Sequence, residues 1–120
     1  MLVAEDDYAW RVSIVRLLES IGLECVAVPD GRAAADLLAD ASQHFDLAVT
    51  DFRMPRGSGW TVIEAVRTHR GAAFPVIMQT AESQYSDVHE RAGALGIPLV
   101  AKADVAALLL PMVRDALGMT

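Results

Sequence analysis

Six side chains in this sequence combine the types and positions that phosphoryl chemistry needs. Glu5, Asp6 and Asp7 follow the short apolar run Leu2, Val3, Ala4. Asp51 closes a second run, Leu47, Ala48 and Val49, and opens into the loop FRMPRGSG with Pro55, Gly57 and Gly59. Thr80 ends a third run that starts at Pro75, and Lys102 ends a fourth, Leu99 to Ala101. An acid at the carboxyl end of a buried strand, followed by a glycine-rich loop and a helical pattern, is where open α/β sheets carry their sites. Carboxylates crowded into one crevice repel, and at least one resists ionising. A hard divalent cation removes that conflict, and Mg2+ takes one or two carboxylates, several waters and a phosphate oxygen. The expected ligands are the side chains of Asp6 and Asp51, Glu5 through a water, and the backbone carbonyl of Arg53. No histidine or cysteine falls near enough to favour a soft metal. With Asp51 as nucleophile toward a phosphoryl group, Lys102 would stabilise charge on the transferred oxygens and Thr80 would donate a hydrogen bond to one of them.

The elements that must position these groups are legible in the periodicity. Strand 1 covers Leu2 to Ala4, closing at Glu5 or Asp6, and helix 1 runs from Tyr8 to Ile21 with Gly22 as its C-terminal cap. Leu23 to Val28 reads as strand 2, Pro29 to Gly31 as a turn, and 32–41 as helix 2. Strand 3 holds Asp51, and helix 3 spans about Trp60 to His69. Strand 4 is Pro75 to Gln79, helix 4 roughly Gln84 to Leu95, and strand 5 Leu99 to Ala101. Asp104 is placed to cap helix 5, in which Pro111 should kink the helix or delay its start. Five strand–helix alternations without a repeat predict an α/β, doubly wound (βα)5 three-layer sandwich with a five-stranded parallel sheet in the order 2-1-3-4-5. That order brings the ends of strands 1, 3, 4 and 5, and so all the chemistry, to one edge.

Composition bounds the alternatives. The 120 residues suit one domain, 1–120, and 53% hydrophobic with 22% charged residues excludes disorder. The net charge is −6, without the basic patch of a nucleic-acid binder. No run approaches the roughly 18 apolar residues of a membrane span, and no basic leader opens the chain, so a cytoplasmic protein is expected. Cys25 reads as a small core residue, Asp7 as the cap of helix 1, and GSG at 57–59 as a turn. Trp60 should pack at the start of helix 3, while Trp10 is a candidate partner contact.

AEDD after an apolar strand, DFRMPRGSG, QTA and AK, in that order and spacing, resemble the receiver domain of two-component response regulators over essentially the whole chain. The resemblance implies a flavodoxin-like fold, Glu5 and Asp6 as the acidic pair, Asp51 as phosphoacceptor, Thr80 as switch hydroxyl and Lys102 as the lysine of the site. It implies transfer from a phosphohistidine of a sensor histidine kinase or histidine phosphotransfer protein, self-dephosphorylation by water, and a downstream effector protein or domain. Dedicated metabolic activity is not implied. Two positions depart from the pattern. Ala103 stands where most receivers carry proline after the lysine, and because a cis bond before alanine costs about 3 kcal/mol a trans bond is expected. Leu99 stands at the aromatic switch position and has no hydroxyl to swing, which leaves a specialised output face. The competing function is a receiver-like binding module that acts without phosphate through the surface of helix 4, strand 5 and helix 5, a surface that could also form a homodimer. A haloacid-dehalogenase-type phosphohydrolase would want a second acid at position 53, where Arg53 stands. Arg53 and Glu82 are placed to pair across the pocket mouth and restrict the attacking water. The expectation is a single-domain regulator or a piece of a longer protein, and the abrupt start and the end at Thr120 fit excision or trimming.

Overall fold

The computed structural model describes residues 1–81 and 85–119. Its elements are β1 (Leu2–Ala4), α1 (Tyr8–Glu19), β2 (Val26–Val28), α2 (Gly31–Ala39), β3 (Ala48–Asp51), α3 (Gly59–His69), β4 (Val76–Thr80), α4 (Tyr85–Ala94), β5 (Leu99–Ala101), a 3-10 turn (Lys102–Asp104) and α5 (Val105–Ala116). The five strands form one parallel sheet in the order β2-β1-β3-β4-β5. β1, β3 and β4 are buried along their whole length, as the unbroken apolar runs require of strands covered on both faces.

Alternating strand residues build two cores. Leu2, Ala48 and Met78 face one side with Leu38 of α2, Val62 and Ile63 of α3 and Val88 of α4. Val3, Val49, Ile77 and Val100 face the other, packed by Ile14 and Leu18 of α1 and Leu109 and Val113 of α5. The three-layer doubly wound architecture is therefore the predicted one. The start of α1 is also as expected, since the Asp7 carboxylate accepts the Trp10 backbone N–H at 2.9 Å.

Several local readings change. β2 is only three residues long, half the predicted span, because residues 23–25 pass from the α1 cap to the sheet before pairing with β1 begins at Val26. Pro29–Gly31 is not a free turn: Asp30 caps α2 through a 2.7 Å bond from Ala33 N–H, and the helix opens at Gly31. Gly31 must be glycine for space, since a Cβ there would lie 2.5 Å from the Gly57 carbonyl oxygen. Gly31 and Arg32 donate their backbone N–H groups to the carbonyls of Gly57 and Arg56, so the loop after β3 is fastened to α2. α5 begins at Val105 and continues through Pro111 without a delayed start, and Asp104 precedes it without a side-chain capping bond. At the opposite end of the sheet Arg70 donates to the carbonyls of Leu37, Leu38 and Asp40 and stacks over the Phe45 ring, tying α3 to the C-terminus of α2.

Candidate functional site

The sheet register alone assembles the site. Ala4 pairs with Thr50, Asp51 with Gln79, and Thr80 with Ala101. One step beyond these pairs, the chain ends of β1, β3 and β5 place Glu5, Asp51 and Lys102 side by side. Lys102 Nζ donates to Glu5 Oε1 at 2.9 Å and to Asp51 Oδ2 at 3.0 Å. Glu5 is fully buried and Asp51 only 5% exposed. The other Glu5 oxygen accepts the backbone N–H of Asp6, and Asp51 Oδ1 accepts that of Phe52. Arg11 holds the Glu5 carbonyl at 2.7 Å, fixing the end of β1 from α1.

The electrostatics follow from crowding. Burial, and then the neighbouring Asp51 carboxyl, push the Glu5 pKa up from 4.5 to about 8, against the opposing pull of Lys102. Burial alone would lower the Lys102 pKa, but its bonds to Glu5 and Asp51 outweigh that and raise it. Near neutral pH the buried Glu5 carboxyl therefore holds its proton beside the ammonium. This donor set suits a hard divalent cation: one oxygen each from Glu5, Asp6 and Asp51 lies within 4.8 Å of the others, and the proton held by Glu5 marks a deficit of positive charge.

The expected site residues separate into two groups. Glu5, Asp6, Asp51 and Lys102 come together, with Asp6 exposed at the rim. Thr80 is fully buried at the end of β4, and its hydroxyl makes a long 3.5 Å contact with the Ala81 carbonyl rather than a bond to Asp51. Arg53 is exposed in the loop after β3. The partner proposed for it across the pocket mouth, Glu82, lies outside the described residues, as does the expected first residue of helix 4, Gln84. The 102–103 peptide bond is trans, as expected from Ala103.

Sequence reasoning missed two residues. Trp10, for which a partner contact is only one candidate role, turns inward: its indole Nε1 donates to Gln79 Oε1 at 2.9 Å, and Lys102 Nζ lies 5.6 Å from its ring centroid. Gln79 is fully buried in the sheet. The available signal was a glutamine inside the apolar run PVIMQT. A second unused signal is that Lys102 is the sole lysine in the sequence, every other cationic chain being arginine. A compact ammonium suits a cleft between two carboxylates, and a planar guanidinium does not replace it there. Trp60 packs at the start of α3 as expected, edge-on to Phe52 at 5.9 Å, with Arg91 of α4 4.1 Å from its ring centroid.

A doubly wound parallel sheet with an acidic cleft and a lysine at its switch point defines a flavodoxin-like domain of the signalling type. The model of the response regulator receiver domain family matches residues 1–109, and the chain belongs to that family. Chemotaxis protein CheY of Pseudomonas aeruginosa is 35% identical over 96 residues, covering 78% of this chain and 76% of that protein. The two-component response regulator-like APRR9 of Arabidopsis thaliana is 35% identical over 83 residues, covering 68% of this chain but 18% of that protein. Response regulator PhoP of Pseudomonas aeruginosa is 34% identical over 87 residues, 72% of this chain and 37% of that protein. The chain thus spans well under two-thirds of the length of most of these relatives. Among solved structures, a response regulator receiver protein from Burkholderia phymatum superposes with a TM-score of 0.80 at 32% identity, covering 99% of this chain and 94% of that one. A receiver domain from Clostridium thermocellum gives a TM-score of 0.85 at 20% identity, over 98% and 92%, and speaks for the fold alone.

Proposed function

We propose that this chain is a phosphorylatable receiver of a two-component phosphorelay that accepts a phosphoryl group on Asp51. The observation that carries the reading is the ammonium of Lys102 held 3.0 Å from Asp51 and 2.9 Å from Glu5, two buried carboxyl groups. An Asp51 oxygen attacks the phosphorus of a phosphohistidine on a sensor histidine kinase or histidine phosphotransfer protein. The P–N bond breaks, the imidazole leaves with its electron pair and takes a proton, and an acyl phosphate remains. Lys102 is already anchored where charge develops on the transferred oxygens, so little reorganisation is needed. Bound Mg2+, held by Asp6, Asp51, the Arg53 carbonyl and Glu5, would supply the additional positive charge for a phosphoryl oxygen. Thr80 is one residue past the partner of Asp51 in β4, close enough in sequence register for its hydroxyl to turn toward the modified side chain and draw its loop with it. Attack by water on the phosphorus later breaks the P–O bond and returns the carboxylate.

In this reading residues 1–120 act as one receiver unit in the cytoplasm, touching neither nucleic acid nor membrane directly. Among the described residues no helix is long and apolar enough to cross a membrane. The modified state would change the α4-β5-α5 surface for a downstream effector or a second copy. A phosphate-independent role for that same surface is the second reading, and it rests on Ala103, joined to Lys102 by a trans bond, and on Leu99, which has no hydroxyl to switch. Intact-mass measurement after treatment with acetyl phosphate and Mg2+ separates the two. Gain of one phosphoryl group, lost in Asp51→Asn, supports the receiver reading, and a folded chain that gains none supports the second.

A further inference from the structure

The restraint on Lys102 does not come from its own loop. The lysine follows a three-residue strand and opens a 3-10 turn whose next two residues, Ala103 and Asp104, are exposed. Two of its three N–H bonds go to Glu5 and Asp51. A third neighbour is the face of Trp10, within the range at which an ammonium is attracted to an indole ring. Trp10 is in turn held by its indole N–H on the side-chain oxygen of Gln79. Gln79 occupies a position that its strand neighbours Ile77 and Met78, and its β5 partner Val100, fill with apolar side chains. It is fully buried, and among the described residues its side-chain nitrogen has no hydrogen-bond partner. A leucine there would leave no orphan amide, so packing does not explain a glutamine. The same residue accepts the Phe52 backbone N–H, immediately after Asp51, on its own carbonyl. Gln79 is thus bonded both to the backbone at the acceptor aspartate and to the ring beside the lysine.

We propose that Gln79 and Trp10 are positioning residues that hold the Lys102 ammonium over Asp51. This rests on the phosphoacceptor reading for its consequence but not for its geometry. Breaking the Trp10–Gln79 bond lets the ring swing out and the lysine sample positions in which only one carboxylate holds it. A displacement of that kind slows a reaction that depends on a preplaced charge without unfolding the domain.

Because Lys102 is the only lysine, protein labelled with 13C at lysine Cε gives one ε-methylene signal that needs no assignment. In the untreated parent that signal should lie upfield of free lysine through the Trp10 ring current. It should move toward the free position in Trp10→Leu, and part of the way in Gln79→Leu. With acetyl phosphate and Mg2+, Gln79→Leu and Trp10→Phe should each gain the phosphoryl group roughly tenfold more slowly or worse. The Gln79→Leu melting temperature should be equal to the parent's or higher. The double variant Trp10→Phe/Gln79→Leu should be no slower than the worse single one. An ε signal already at the free-lysine position, or one unmoved by Gln79→Leu, overturns the proposal. So do parental labelling rates in both single variants, or a slowing matched by loss of folded protein. A parent that takes no phosphoryl group defeats the phosphoacceptor reading instead, and the ε signal then decides the positioning role by itself.

Discussion

Replacing Lys102 by methionine keeps the aliphatic stem and deletes the ammonium. Nζ stands 2.9 Å and 3.0 Å from two carboxylates, with 27% of the lysine side chain exposed and almost none of either acid. One full ion pair at about 3 Å and an effective dielectric near 20 is worth roughly 5 kcal/mol before desolvation. Burying the ammonium offsets much of that, and the proton held by Glu5 leaves only one formal negative charge to neutralise. The expected net loss is about 1–3 kcal/mol in metal-free protein, or roughly 4–10 °C in melting temperature. Mg2+ should then stabilise the variant by more than it stabilises the parent, because the added cation replaces the missing one and no longer meets a positive neighbour. Phosphoryl uptake should nevertheless remain slower by about 10²–10³, since the charge on the transferred oxygens has lost a fixed partner. Calorimetry with and without Mg2+, together with timed intact-mass spectra, reads both quantities. A variant with parental melting and parental uptake would refute the reasoning, and so would a smaller Mg2+ stabilisation than the parent shows.

Further outcomes follow from the same contacts. The folded Glu5 pKa lies above its unfolded value, so its stabilising contribution is complete below about pH 4.5 and is lost as pH rises through about 8. Metal-free parent should therefore lose stability against Glu5→Gln across that window in thermal melts, and Mg2+ should flatten the difference. Gly31→Ala must push backbone away from Gly57, and denaturant unfolding should show a loss of about 1–3 kcal/mol together with a displaced loop after β3. Arg70→Ala removes the guanidinium donor from three carbonyls at the end of α2, of which that of Leu37 keeps the Asp40 backbone N–H and that of Asp40 keeps the Gln43 backbone N–H; a loss of about 1–2 kcal/mol with unchanged phosphoryl uptake is expected from parallel melting and mass assays.

The architecture was readable because its information is local. Strand runs bounded by Pro, Gly and Asp, alternating with helical spacing, fix the element order, and chirality then fixes the sheet. The ends of those runs also named Glu5, Asp51 and Lys102, since parallel register carries them to one edge without any side-chain detail. What stayed hidden depends on contacts between residues far apart in the chain. The Trp10–Gln79 bond joins positions 69 residues apart, and no periodicity marks it. Gly31 looked like a turn glycine because the Gly57 carbonyl that crowds it belongs to another loop. Strand 2 was overestimated because Leu23 and Cys25 are apolar for packing against the α1–α5 core rather than for pairing. Pro111 was weighed as a helix breaker, yet α5 runs through it, held by Leu109 and Val113 on the buried side.

The central claim is tested most directly by reducing the modified protein with borohydride, which converts an acyl phosphate to an alcohol, and sequencing the peptides by mass spectrometry. Treatment with a phosphodonor and Mg2+ should yield homoserine at position 51 and at no other acid, with Glu5 and Asp6 unchanged. Homoserine at another position, or an untouched aspartate at 51 in protein that has gained a phosphoryl group, would contradict the account.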